Sequence, residues 1–200
     1  MAIFTQEKSV NVNGSSVQQN SNHGIVGQQA PSFKAPAFDN GQIREISLSD
    51  YRGKWIVLFF YPLDFTFVCP TEILEFNKKT DEFKKKNAQL IGASIDSVYS
   101  HKAWCELSQD KGGIGKLNFP LISDITKHLS RDYGVLLEDK GISLRGTFVI
   151  DPEGKVRAAT IHDLQVGRCV DETLRVLQAF QTGELCPVDW TPGQRTLGKA

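Results

Sequence analysis

Six consecutive apolar residues, Trp55-Ile56-Val57-Leu58-Phe59-Phe60, constrain this chain more than any other stretch. The run is far too short to span a bilayer, and its β-branched and aromatic content reads as a buried strand. Such a strand needs cover on both faces, which calls for a sheet between helical layers. After Tyr61 to Glu72, residues Ile73, Leu74, Phe76, Thr80 and Phe83 recur at a spacing near 3.6, the mark of an amphipathic helix. Cys69 therefore stands where a central strand ends and a helix begins.

The rest of the chain supplies the layers. Residues 1 to about 28 are rich in Asn, Gln, Ser and Gly with no lasting period, and are expected to be a disordered polar tail. The folded domain is expected over 29–182, with a C-terminal tail over 183–200. Asn40-Gly41 between apolar positions signals a hairpin. Ala88 to Ile95 reads as a second core strand, and Ser97 to Gln109 as a helix burying Val98, Trp104 and Leu107 or their neighbours. Gly112-Gly113-Ile114-Gly115 breaks that helix. A short strand over Phe119 to Asp124 leads to a helix capped by Ser123 or Asp124 and running to about Tyr133. Thr147 to Ile150, the turn Asp151-Pro152-Glu153-Gly154 and Lys155 to Ile161 make a second hairpin. The last helix, about Val170 to Gln181, puts Leu174, Leu177 and Phe180 on one face. The order predicts an α/β fold: a mixed sheet flanked by helices, resembling the thioredoxin-like arrangement.

Lys+Arg and Asp+Glu are both 23, so no global field points to nucleic acid or an anionic membrane. The N-terminal stretch has neither a hydrophobic signal core nor early arginines, and a cytoplasmic, reducing location is expected. Four cysteines, Cys69, Cys105, Cys169 and Cys186, are too scattered for a disulfide-stapled fold. They show no CxxC spacing and no paired histidines, so neither a metal nor a cofactor is expected. His23, His101, His128 and His162 have no partner at a catalytic spacing and receive no role.

Reactive thiol chemistry is the remaining possibility. A thiol with a pKa near 8.5 is about 3% thiolate at pH 7, and lowering it to about 6 gains roughly thirtyfold. The unpaired N–H groups of a first helical turn favour an anion, and Pro70 is tolerated there because its missing N–H removes no helical bond. Preorganised donors to a developing charge matter more, each worth about a hundredfold to a thousandfold. Thr66, three residues before Cys69, is expected one turn earlier on the same face with its hydroxyl near the sulfur.

Tyr61-Pro62 and Asp64-Phe65-Thr66-Phe67-Val68-Cys69-Pro70-Thr71-Glu72 resemble the active-site signature of the typical two-cysteine peroxiredoxins, which include the C subunit of alkyl hydroperoxide reductase. Ile91 to Ser94 with Asp96-Ser97, Asp151 to Gly154, Val166 to Arg168 with Asp171 to Leu174, and Gly183 to Pro187 are similar to further segments of that family, so the resemblance covers about 28–192. It implies that Cys69 is the peroxidatic cysteine, that Thr66 orients the peroxide, and that Pro62 shields the pocket. Arg145 would stabilise the thiolate and the leaving oxygen, and Glu72 and Arg168 would hold Arg145. Cys186 would be the resolving cysteine of a partner chain. The implied substrates are hydrogen peroxide and alkyl hydroperoxides, and the implied reductant is thioredoxin or a flavoprotein disulfide reductase. The implied assembly is a homodimer closing into a decamer.

Cys105 and Cys169 fall outside this pattern: Cys105, after Trp104 inside a helix, is assigned to packing, and Cys169, beside Arg168 near a helix start, to a structural role. The family's overoxidation-sensitive members carry a C-terminal Tyr-Phe helix; this chain ends at Ala200, shortly after Cys186, without one. Resistance to sulfinic acid formation is therefore expected. A holdase chaperone or redox-relay protein is the alternative function; peroxidase turnover requires Cys69, whereas passive holdase activity in the reduced state should survive Cys69→Ser.

Overall fold

The computed structural model describes residues 24–199. The expected tail lies almost wholly outside the described residues. Ordered contacts already begin at Gly27, whose N–H donates to the Val156 carbonyl (2.8 Å), while Val156 N–H returns a bond to Gln28 (2.9 Å).

Strands β1 (Lys34–Asp39) and β2 (Gln42–Ser47) pair antiparallel across Asn40-Gly41. Both turn residues have positive φ, 47° and 84°, which is why Asn-Gly suits a two-residue hairpin turn. Then follow β3 (Trp55–Phe60), α1 (Val68–Lys78), α2 (Thr80–Lys85), β4 (Ala88–Ser94), α3 (Val98–Glu106), β5 (Leu121–Ser123) and α4 (His128–Asp132). A small ribbon, β6 (Leu136–Leu137) with β7 (Ile142–Ser143), precedes β8 (Arg145–Ile150), β9 (Val156–His162) and α5 (Val170–Gln181). The main sheet has seven strands in the order β2-β1-β5-β4-β3-β8-β9. Its β3-β4 and β4-β5 pairs are parallel and the others antiparallel, the mixed thioredoxin-like sheet expected. No helix among the described residues is long and apolar enough to cross a membrane.

Strand β3 lies inside the sheet, and its alternation explains the continuous apolar run. Val57 and Phe59 point to one face with Ile73, Phe76, Phe83, Trp104, Leu174 and Leu177, under α1, α2, α3 and α5. Ile56, Leu58 and Phe60 point to the other face with Leu129, Tyr133 and Phe148. Phe59 stacks on Phe76 at 4.3 Å and meets Phe119 edge-on at 5.6 Å, pairs worth about 0.5–1.5 kcal/mol each beyond their buried area.

Several local expectations are corrected. The helix expected from Ile73 to Phe83 breaks at Lys79, where the Thr80 hydroxyl donates back to the Phe76 carbonyl at 3.2 Å. Helix α3 is capped by Ser97 but ends at Glu106, short of Gln109. There Gly113 folds back so tightly that a Cβ would lie 1.9 Å from the Leu107 carbonyl oxygen. Asp124 does cap α4, from a distance: its carboxylate accepts from Leu129 N–H (3.0 Å) and Ser130 N–H (2.7 Å). On α5, Leu174 and Leu177 are buried but Phe180 is exposed. Each three-residue step falls about 60° short of a full turn, so Phe180 has rotated off the stripe.

Candidate active site

The loop 61–67 carries the chain from the C-terminal end of β3 into α1, at the end of the parallel β3-β4 pair where open α/β sheets place their sites. Cys69 lies in the first turn of α1 and is only 1% exposed. Pro62 is buried at the start of the loop. Phe65 takes a left-handed backbone, φ 54°, unusual for an aromatic residue, and its ring lies 5.5 Å from Trp104. Thr66 departs from expectation: it precedes the helix, and its hydroxyl donates to the Leu63 carbonyl (3.0 Å) and not to the sulfur.

Arg145 enters from the first position of β8. Its Nη1 lies 3.4 Å from the Cys69 sulfur and 2.7 Å from Glu72 Oε2, while Nε donates to the Leu164 carbonyl at 2.8 Å. A guanidinium held at three points presents a fixed charge to sulfur with almost no freedom to swing away. Gly146 beside it must lack a side chain, because a Cβ there would lie 2.7 Å from Val135 Cγ1.

Glu72, on α1 almost one turn after Cys69, is shared by two arginines. Arg168 forks onto both of its oxygens (Nε–Oε1 2.8 Å, Nη2–Oε2 3.0 Å), and Arg168 N–H also reaches Oε1 at 2.8 Å. The remaining Arg168 nitrogen donates to the carbonyls of Phe60 and Gly146, both at 2.8 Å. The guanidinium carbon lies 5.4 Å from the Phe59 ring centroid and 5.9 Å from that of Phe76, so aromatic faces supply further stabilisation. Burial acts to raise the Glu72 pKa, but the hydrogen bonds and charge of Arg168, with the charge of Arg145, outweigh it and hold the carboxyl below its ordinary value. For Arg168 burial prevails: its pKa is lowered, against the opposing pull of Glu72.

A second buried cluster grips the loop from the α3 side, and sequence reasoning missed it. Asp64 accepts from Tyr61 (2.9 Å) and Ser100 (2.7 Å), and its Oδ2 lies 2.8 Å from His101 Nδ1. Asp64 N–H donates to Asp96 (2.9 Å), which also accepts from Ser94 (2.7 Å). His101, given no role from sequence, is fully buried with Nε2 3.1 Å from the Ile122 carbonyl. The loop that presents Pro62 and Thr66 is thereby tied to β4 and α3.

Cys69, Glu72, Arg145 and Arg168 thus form one cluster, with Pro62 and Thr66 on the adjoining loop. Cys186 does not join them: it is half-buried beyond α5, with Sγ 3.7 Å from the Ala179 carbonyl oxygen. Cys105 is buried, and its thiol is pushed up to about 12 by burial, then by the charges of Asp64 and Glu106. Cys169, expected near a helix start, is exposed and is the N-cap residue of α5, apart from the cluster. The cavity of about 460 Å³ beside Tyr51 and Asp151 lies at the opposite end of β3 and contains none of these groups.

The chain is similar to known proteins over most of its length. The model of the AhpC/TSA family matches residues 26–159. Peroxiredoxin-2 of Bos taurus is 55% identical over 176 residues, covering 86% of this chain and 88% of that protein. Thioredoxin peroxidase of Echinococcus granulosus is 53% identical over 177 residues, covering 86% and 92%. The crystal structure of the reduced 2-Cys peroxiredoxin of Plasmodium vivax superposes with a TM-score of 0.84 at 44% identity, covering 86% of this chain and 92% of that one.

Proposed function

The chain belongs to the AhpC/TSA family, and on that footing we propose that it is a thiol peroxidase reducing hydrogen peroxide and small organic hydroperoxides. The observation that carries this reading is the Arg145 guanidinium, directed at once to the Cys69 sulfur and to Glu72 inside a buried network. The Cys69 thiolate attacks the terminal peroxide oxygen; the O–O bond breaks, an S–O bond forms, and the alcohol or water leaves with a proton. Cys69 becomes a sulfenic acid. Arg145 offers fixed N–H donors as charge passes from sulfur to the leaving oxygen, the kind of donor whose removal costs about 10² to 10³ in rate. Pro62 excludes water, and the Thr66 hydroxyl, oriented by Leu63, keeps lone pairs free to accept from the peroxide. Glu72 and Arg168 hold Arg145 in place.

In the second half of the cycle, Cys186 of a second copy attacks the sulfenic sulfur, giving an intersubunit disulfide and water. A thioredoxin-like protein then reduces the disulfide; a flavoprotein disulfide reductase is the other chemistry able to do so. A relative from Mus musculus bears the name thioredoxin-dependent peroxide reductase, which supports the first. The electrons pass through the chain's own thiols, so the cycle calls for no cofactor. Both thiols must be reduced again after each turnover, which suits the cytoplasm, and cell fractionation tests that location.

The homodimer has a candidate surface in β9, the last strand of the sheet, where Ile161 is exposed along the edge. An open edge strand is a template for pairing. Phe67 (94% exposed) and Tyr99 (72%) near the catalytic loop support further association of five dimers into a decamer, which sedimentation tests.

The deciding experiment is a non-reducing gel after brief peroxide treatment. A linked dimer is expected, abolished by Cys69→Ser or Cys186→Ser and kept by Cys105→Ser and Cys169→Ser. A dimer that instead depends on Cys105 would overturn the assignment of Cys186.

A further inference from the structure

The core layer under α3 is not filled to its edge. Leu117 and Phe119, just before β5, and Phe38 of β1, beside β5 in the sheet, are buried in the same cluster as Cys105 at the end of α3. A cavity of about 310 Å³ remains among them, with the Asn40-Gly41 turn as one lip. An apolar cavity of roughly half that volume accepts benzene, so this one has room for a ring bearing a short chain.

Its walls are fixed before anything enters. Asn77 of α1 donates to the Lys116 carbonyl at 3.1 Å and accepts from Asn118 N–H at 2.8 Å, which ties the stretch 116–118 to α1. The Phe119 ring is held edge-on against Phe59 at 5.6 Å. On the α3 side, Ile114 N–H donates to the Trp104 carbonyl at 3.1 Å, one residue before Cys105. A site that is already built loses little order when a ligand arrives, which favours binding.

The rim is polar and unbalanced in charge. Glu106 is paired with Lys102 at 3.8 Å, and Arg44 on the hairpin is held by Asp39 at 2.8 Å. Lys116 is exposed at the mouth and makes no ion pair among the described residues. Apolar walls with one unneutralised ammonium at the entrance suit an anion that carries an apolar body.

We propose that this cavity is a binding site for small carboxylates with an aromatic body, the ring lying against Phe38, Leu117, Phe119 and Cys105 and the carboxylate meeting Lys116. Cys105 contributes as a soft, neutral contact: burial keeps its thiol protonated, and sulfur packs favourably against a ring edge. The site shares no residue with the cluster around Cys69, and it stands independently of the peroxidase reading.

The test is isothermal titration calorimetry on the full reduced chain with phenylpropionate, phenylpropanol and phenylpropylamine, which share one ring and differ in charge. The acid should bind with a Kd of about 0.1–1 mM, the scale that one buried ring and a charge support. The alcohol should bind about two- to fivefold more weakly, the range of an exposed ion pair, and the amine more weakly again. Lys116→Gln should bring the acid to the affinity of the alcohol and leave the alcohol unchanged. Cys105→Phe, which fills the cavity, should abolish binding of both. Neither residue belongs to the peroxide-reducing cluster, so peroxide turnover reports that each variant is folded. Should Cys105→Phe fail to fold, the Lys116→Gln comparison decides alone. No saturable binding of the acid up to about 10 mM, equal affinities for the three ligands, or acid binding unmoved by Lys116→Gln overturns the proposal, as does binding kept by a folded Cys105→Phe protein.

Discussion

The imidazole of His101 and the carboxylate of Asp64 meet at 2.8 Å with neither side chain more than 1% exposed. The other ring nitrogen lies 3.1 Å from the Ile122 carbonyl, so both nitrogens of the buried ring are engaged. The pair thereby fastens the catalytic loop to α3. His101→Leu removes one of the three side-chain partners of a buried carboxyl group, leaving Tyr61 and Ser100, and should cost about 3–5 kcal/mol. Chemical denaturation measures that loss, and the second-order rate with peroxide should fall as the loop loosens. An unaltered peroxide rate would show that the grip on Asp64 does not reach Cys69.

Glu72 should leave an acid signature. Its folded pKa lies below the ordinary 4.5, so the unfolded chain binds more protons over that window. The stabilisation is complete above the unfolded value and is lost as pH falls through the folded one. Glu72→Gln should therefore lower stability near pH 7 by about 3–5 kcal/mol, by leaving two buried arginines without their counter-charge. It should also flatten the pH dependence below about pH 4.5, measured as urea midpoints against pH.

Asp96 should behave in the opposite sense. Burial, and then the charge of Asp64, raise its pKa above the ordinary 3.8, so the folded state binds more protons and stability falls as pH rises through that window. At pH 7 the penalty is fully present. The two contacts of Asp96, from Asp64 N–H and the Ser94 hydroxyl, fall on one oxygen that an amide carbonyl can replace. Asp96→Asn is thus expected to raise the thermal midpoint at pH 7 and to lose this advantage at pH 3. A lower midpoint at pH 7 would mean that the charge is needed.

The thiols should separate by reactivity. With its pKa pushed up to about 12, Cys105 is about one part in ten thousand thiolate at pH 8. Brief iodoacetamide treatment of the reduced protein, read by peptide mass spectrometry, should label Cys169 and leave Cys105 unmodified until the protein is unfolded. Early labelling of Cys105 would contradict its burial.

Much of this architecture was legible because it rests on short-range patterns. The apolar run of β3, the Asn40-Gly41 turn and the Asp151 to Gly154 turn each carry their own signal within a few residues. Cys69 stood out by its place where a strand gives way to a helix, but Glu72, Arg145 and Arg168 were legible only through the family resemblance, since Arg145 and Glu72 stand 73 residues apart and no local pattern links them. The Asp64–His101–Asp96 cluster escaped notice for a related reason. Its members lie 32 and 37 residues from Asp64 on other elements, and a histidine inside a helix has no periodicity to betray a buried partner. Thr66 was misjudged because helical spacing was extended back past Phe67, where the helix has not yet begun.

The left-handed turn at Phe65 bears on timing. A non-glycine residue in that region costs about 1–3 kcal/mol, which the grip on Asp64 and the Phe65–Trp104 contact must offset. The loop's backbone therefore favours leaving while its contacts favour staying. A shift of 1–3 kcal/mol changes relative populations by about 5- to 150-fold, so the strain at Phe65 weakens the hold of those contacts by about that factor. With Cys69 only 1% exposed, an oxygen added to its sulfur has to be accommodated by a loop already loaded in the direction of release.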